Sequence, residues 1–549
     1  MDQESSGRRW ESGTLAHGVS DPFGQGPLPW LRSPDQYLAG VEGAVPWYVS
    51  TDAPGQQPLP TAAPAAGRPG QGMVGTPRNS DDVVQQIKGF ASAGPVYPGG
   101  SVDLRVTVHP PRDFLVDVYR IGHYAGAGAQ HMTASPLIHG LQQPAPLVVG
   151  RTVSCHHWWH SWRQQIPAHW RPGAYVAVLT TADQRHRSHI PFTVRDPRTT
   201  GPAGSASAGS GPADTGRADT GRADTGPAGS GPAADLLLVL PDITWQAYNL
   251  FPEDGHTGAS LYHAWDERGR LLGEPEAAVT VSFDRPHAGA GLPLHVGHAY
   301  DFIRWAERYG YDLAYATASD LHAGLVEPSR HRALIFPGHD EYWSEPMRRT
   351  VERARDGGTS LVFLSANTMY WRVELTSGAS GEPGRLLNCR KRQRVLPESP
   401  AAGPAGAASA LWRDSGEPEQ HLLGVQYAGR VAQPVPLRAG NTWHWLWAGT
   451  GLRDGDEVAN LVAGEADRYF PKVALPEHRE RILLAHSPYR DERDRPRHQE
   501  TSLYRAPSGA YVFASGTFAW SPALDRPGHT DERIQKATAN LLDRVCKDG

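Results

Sequence analysis

Two distributions of apolar residues succeed one another along the chain. Between Ile87 and Val194 the apolar positions alternate with polar ones: Val102, Leu104, Val106 and Val108 first, then the runs FLVDVYRI, AYVAVLTT and IPFTVRD. Side chains two residues apart share one face of a strand, so alternating runs broken by Gly and Pro predict an immunoglobulin-like β-sandwich. After Asp235 the pattern changes. LLLVLPD (236–242) is apolar throughout, as a strand buried on both faces requires, and YDLAYAT (311–317), RALIFPG (332–338), SLVFLSA (360–366) and AYVFASG (510–516) are similar. Between them, AYDFIRWAERYG (299–310) spaces Phe302, Trp305, Ala306 and Tyr309 as one helical face. SEPMRRTVERARDGG (344–358) has Ser344 to cap, Pro346 in the first turn and Gly357-Gly358 to stop; DERIQKATANLLDRV (531–545) is a third helix. Strands alternating with helices predict an α/β fold whose catalytic domain has a parallel, flavodoxin/Rossmann-like sheet.

The same patterns set the domain boundaries. Residues 1–80, rich in Gly, Pro and Ser with no sustained period, form an irregular arm; 81–196 form the sandwich and 235–549 the α/β domain. Residues 197–234 repeat ADTGR-like units with hardly a large apolar residue, the composition of a flexible tether.

Composition narrows the function. The 549 residues carry 53 Lys and Arg against 58 Asp and Glu, a net charge of −5, with no basic stripe for a phosphate backbone; nucleic acid is not an expected partner. Three cysteines, Cys155, Cys389 and Cys546, are too scattered for a disulfide framework or a zinc ribbon. MDQESSGRRWESG lacks an apolar segment, and no run of about 18 apolar residues occurs, so a cytoplasmic protein without membrane contact is expected. A GxSxG elbow, Walker A and HExxH are all missing, which removes the usual support for serine hydrolases, P-loop proteins and zincins.

Candidate chemistry gathers where the buried strands end. TWQAYN follows the first strand and brings Thr244, Trp245, Tyr248 and Asn249; HDEYWS follows RALIFPG and brings His339 and Glu341; Asn367 follows SLVFLSA. His339 and Glu341, one residue apart, project to one side of an extended turn, as two metal ligands or as an orienting pair. Asp320 and His322 in SDLH either line the same pocket or cap a helix, and Arg285 in SFDRP either clamps a carboxylate or braces a loop. CHHWWHSW (155–162) concentrates Cys155, His156, His157 and His160, yet neighbours in a strand face opposite sides and the tryptophans favour packing.

Taken in order, TWQAYN, GASLY, SFDRP, DFIRWAERYGYD, SDLH, GHDEYWS and NTMYWRV resemble the carboxy-terminal region of the N,N-dimethylformamidase large (beta) subunit family, most closely over residues 235–375. The resemblance implies a mononuclear, ferric iron cofactor held by two tyrosinates and a glutamate, falling on Tyr248, Tyr262 and Glu341, with His339 and Asn367 assisting. It implies hydrolysis of a small-molecule amide substrate; a homo-oligomer is a separate expectation that the sequence leaves open. Hard phenolate and carboxylate donors suit ferric iron, and three protein ligands leave positions for water and substrate. Two other readings stay open: a non-enzymatic carbohydrate-binding or structural protein on the same fold, and a zinc hydrolase using His339, Glu341 and His322.

Overall fold

The computed structural model describes residues 77–548 apart from 93, 201–232, 275 and 392–410. Most of the expected arm and most of the expected tether therefore lie outside the described residues. The alternating runs form strands: β1 (Ser101–Thr107), β2 (Arg112–Ile121), β3 (Gly173–Thr181) and β4 (His186–Val194). β2, β3 and β4 are antiparallel neighbours in a six-stranded sheet, whereas β1 lies between Lys88–Ala91 and Trp162–Gln165 in a three-stranded one. Val102, Leu104, Val106 and Val108 from one sheet meet Phe114, Val116, Val118, Tyr175 and Leu179 from the other in a single core.

The fully apolar runs become β5 (Leu236–Leu240), β6 (Leu313–Thr317), β7 (Ala333–Phe336), β8 (Ser360–Phe363) and, near the end, Tyr511–Ala514. Their composition has a direct cause. Leu236, Leu238 and Leu240 enter one core with Phe302 and Trp305, while Leu237 and Val239 enter the opposite core with Met347 and Val351. Helices cover these faces, among them α1 (Asp242–Tyr248), α2 (Val296–Arg308), α3 (Glu345–Asp356) and the expected last helix, Glu532–Asp548, which puts Ile534, Ala537 and Leu541 into the first core. α3 starts where Ser344 accepts a hydrogen bond from the Met347 N–H.

The expected flavodoxin/Rossmann-like α/β class is nevertheless wrong for this molecule. The described residues are β-rich: eight sheets, most of them small, with predominantly antiparallel pairing and few helices. Even the largest sheet is mixed. Its parallel strands give way to an antiparallel hairpin, Glu480–Arg490 with Pro496–Arg505, that closes one side. An apolar run reports burial on two faces and says nothing of how the remaining strands pair, and the described residues between 411 and 505 contribute antiparallel pairs where crossover helices would be needed. The immunoglobulin-like expectation is corrected too: the six-stranded sheet carries a parallel edge pairing, Arg78–Asn79 on β4, and faces only three strands.

For the site, one property of the large sheet matters. β5, β7 and β8 pair in parallel, so their carboxyl ends lie at one edge and deliver Tyr248, His339, Glu341 and Asn367 to the same place.

Candidate metal centre

Tyr248 is the last residue of α1, the short helix that follows β5. Its hydroxyl donates to Glu341 Oε2 at 2.7 Å and lies 3.0 Å from His339 Nε2. From a separate loop, Tyr262 donates to the other carboxylate oxygen, Oε1, at 2.5 Å and accepts from Trp371 Nε1 at 3.1 Å. Asn367 Nδ2 also donates to Oε1, at 3.0 Å, and His339 Nε2 is 3.3 Å from Oε2. The five residues expected from the sequence therefore meet around one carboxylate. Glu341, His339 and Asn367 are buried, whereas both tyrosines keep a partly accessible flank through which the cluster meets solvent.

Backbone conformation holds the cluster. Asn367 and Met369 both have left-handed φ, 54° and 58°, a state that asparagine tolerates better than most residues. The Asn367 N–H is fixed there by Asp467 Oδ1 at 2.9 Å. Arg285 braces the tyrosine loops: its guanidinium donates to the carbonyls of Asn249 (2.8 Å), Ala259 (2.9 Å), Ser282 (3.1 Å) and Phe251 (3.3 Å). Of its two sequence readings, loop bracing is the one formed.

Electrostatically, desolvation of the hydroxyl ends and the Glu341 charge push both tyrosines well above the ordinary phenol range. Burial opposes charge on His339 and Glu341 as well. Their hydrogen bond and mutual attraction outweigh it, holding the imidazole above and the carboxylate below their usual values. The metal-free phenols are therefore neutral. Since their folded pKa is raised, metal-free protein should keep full stability below the unfolded phenol value of about 10 and lose it as pH rises beyond. A near-ultraviolet pH titration with parallel unfolding curves checks this; tyrosinate absorption from Tyr248 or Tyr262 below that value would refute it.

The donor set fits a hard trivalent cation: two phenol oxygens and a carboxylate share one point, joined now by protons that such a cation would displace. Buried polar atoms without partners surround it, including His339 Nδ1, Tyr342 Oη, Asn367 Oδ1 and Glu465 Oε2.

The family model described as N,N-dimethylformamidase beta subunit-like, C-terminal, matches residues 115–534. The chain belongs to that family. Among curated relatives, the N,N-dimethylformamidase beta subunit of Alcaligenes sp is 24% identical over 289 residues, 45% of this chain and 36% of the relative. The chain thus spans about a third of that relative's length. A crystal structure of an uncharacterized protein from Bacillus anthracis str. Ames is 16% identical over 21% of this chain and 84% of its own, with a TM-score of 0.12, a likeness too slight to inform the fold.

Other residues in this N,N-dimethylformamidase beta subunit-like chain had no sequence signal. Glu465, in the strand Glu465–Arg468, is raised to about 7 by burial and by the Glu341 charge, with His339 and an Asn367 hydrogen bond opposing. Phe518 packs against His339 with centroids 4.5 Å apart and ring planes tilted by 48°. Lys391 Nζ sits 3.4 Å from the Tyr262 ring centroid and donates to Leu261 O, a cation on the face of that phenol. Only the burial of an acid inside a charged-looking strand could have pointed to Glu465, and alternation alone assigns it to solvent.

The remaining candidates lie elsewhere. Asp320 closes a capping box with Thr317 and pairs with Arg195, and His322 Nδ1 bonds Ser344 Oγ at 2.8 Å. Cys155 packs with Phe90, Trp158 and Phe251, while His157 bonds Ala145 O. Gly258, in the loop leading to Tyr262, admits no side chain: a Cβ would stand 2.0 Å from Pro252 O and 2.1 Å from Leu250 O. Gly258→Ala is expected to destabilise the fold by about 1–3 kcal/mol in chemical denaturation and to displace Tyr262; an unchanged midpoint would contradict this packing.

Proposed function

We propose that this chain hydrolyses a small amide at an iron centre held by Tyr248, Tyr262 and Glu341. The observation that carries the reading is the convergence of two phenol oxygens on the two oxygens of a single buried carboxylate, at 2.7 and 2.5 Å. Ferric iron in that position supplies a Lewis acid that lowers the pKa of water and polarises an amide carbonyl.

The chain's own residues account for the rest. Water adds its oxygen to the carbonyl carbon, the C–N bond breaks, and the proton released by water ends on the departing amine nitrogen. His339 carries that proton at Nε2, the nitrogen facing the Tyr248 and Glu341 oxygens. Asn367 Nδ2 fixes the Glu341 carboxylate and is a donor for negative charge developing on the carbonyl oxygen. Phe518, packed on His339, excludes water from one side of the imidazole. Both electrons of the broken bond leave with nitrogen, so no redox partner is needed.

N,N-Dimethylformamide is the first substrate to try, because the curated relative is named for it. That relative is called a beta subunit, and assembly of this chain into an oligomer belongs to the same proposal. No helix among the described residues is long and apolar enough to cross a membrane.

The test is to purify the full chain without added metal, measure iron per chain, record the visible spectrum, and assay amine release from N,N-dimethylformamide and other simple amides. Iron near one per chain, a tyrosinate charge-transfer band and amine release support the reading. Folded protein that takes up no iron and releases no amine after iron is supplied would overturn it.

A further inference from the structure

A second group of ligating side chains lies outside the centre just described, on the hairpin of β9 (Glu480–Arg490) and β10 (Pro496–Arg505). His486 stands directly opposite Glu500, and His498, two residues before Glu500, projects from the same face. This register depends on an irregularity. The pairing slips between Leu483 and Ala485, and without that slip His486 would oppose Gln499 and face away from Glu500.

The geometry is that of ligands waiting for an ion. His486 Nδ1 is 3.1 Å from Glu500 Oε1, His498 Nε2 is 3.9 Å from the same oxygen, and the two imidazoles stack with centroids 4.5 Å apart. All three ligand atoms lie within 4.8 Å of one another, and among the described residues no other three His, Cys, Asp or Glu side chains meet that condition. The carboxylate is oriented from behind, since Glu500 Oε2 accepts the Tyr469 N–H at 2.8 Å, the outer-shell support that metal-bound carboxylates need. His486 is largely exposed, which gives an ion an entry path and leaves a fourth position for water.

We infer that His486, His498 and Glu500 form a second metal site, for a zinc-class divalent cation. Two imidazoles and one carboxylate with an open fourth position are a tetrahedral zinc set. The surroundings select against hard ions. Arg468 and Arg481, each stacked 4.2 Å from an aromatic centroid, carry positive charge close to His498 and Glu500. Calcium and magnesium, bound almost wholly by charge and oxygen, are penalised there, whereas zinc, nickel and copper retain the imidazole bonds. A bound ion would cross-link the two strands of the hairpin at the side of the large sheet.

The experiment uses the full chain stripped of metal and titrated with Zn2+ by calorimetry, and with Co2+ by visible absorption. Wild type should show a zinc-binding event with tetrahedral cobalt bands. His486→Ala and His498→Ala should each weaken that event at least about tenfold with unchanged unfolding midpoints, because both rings reach solvent. Glu341→Gln should leave it intact, which separates this site from the tyrosine-lined centre. Binding unchanged in the His486→Ala/His498→Ala double variant, or no event in wild type beyond one abolished by Glu341→Gln, would overturn the assignment.

Discussion

Glu341→Gln is expected to lose iron and amide turnover together, with activity down at least about a thousandfold, on the order of 4 kcal/mol of lost transition-state stabilisation. The magnitude follows from what faces the carboxylate. Oε1 accepts from Tyr262 and Asn367, and Oε2 accepts from Tyr248 with His339 3.3 Å away. Four groups converge on two acceptor oxygens, and an amide offers only one. Its NH2 would confront a phenol or the Asn367 amide, donor against donor, at a cost of about 1–3 kcal/mol even without metal. Removal of the negative charge also takes away the anchor shared by both tyrosines. Tyr248→Phe and Tyr262→Phe remove one oxygen each and should diminish the charge-transfer band while leaving Glu341 in place. Iron content and amine release measured on the same preparations decide the matter; Glu341→Gln protein with wild-type iron and turnover would refute the role given to this residue.

The contrast between what was legible in the sequence and what was not has a physical basis. Apolar runs such as LLLVL mark strands buried on both faces, and the polar residues placed just after them, Tyr248, His339, Glu341 and Asn367, do come together. Tyr262 follows no such strand, and only the ordered family motifs brought it into view. The pairing of the other strands was hidden, because a run's composition reflects burial and not direction. The hairpin from 480 to 505 was hidden for the opposite reason. Gln499, Thr501 and Ser502 look like surface residues but are fully buried; Gln499 Nε2 donates to Thr501 Oγ1 and Ser515 O, and the Thr501 hydroxyl donates to Ser515 O, whereas Ser502 Oγ has no partner among the described residues. Glu465 and Asp467 belong to the same class. Each is an acid in a strand, and burial holds both near 7, Glu465 beside the Glu341 charge and Asp467 despite its bond from the Asn367 N–H.

Arg285→Met should cost about 3–5 kcal/mol of stability and, separately, weaken iron retention. The side chain is 1% exposed and has no acidic partner among the described residues. Burial presses its guanidinium down to about 9, so the cation is kept at an energetic cost. What offsets that cost is a fork of donors to Asn249, Phe251, Ala259 and Ser282. Asn249 directly follows Tyr248, and Ala259 precedes Tyr262 by three residues, so one guanidinium fixes the spacing of both phenols. Methionine fills most of the volume but leaves these carbonyls without their donor in a site closed to water. Arg285→Lys keeps the charge with a single ammonium in place of the fork and should recover only part of the loss. Urea unfolding followed at a constant m-value gives the stability change, and iron per chain after gel filtration gives the second effect. If Arg285→Met left the midpoint and the iron content as in wild type, the two tyrosines would have to be positioned by Glu341 and Trp371 alone, and Arg285 would be filling space.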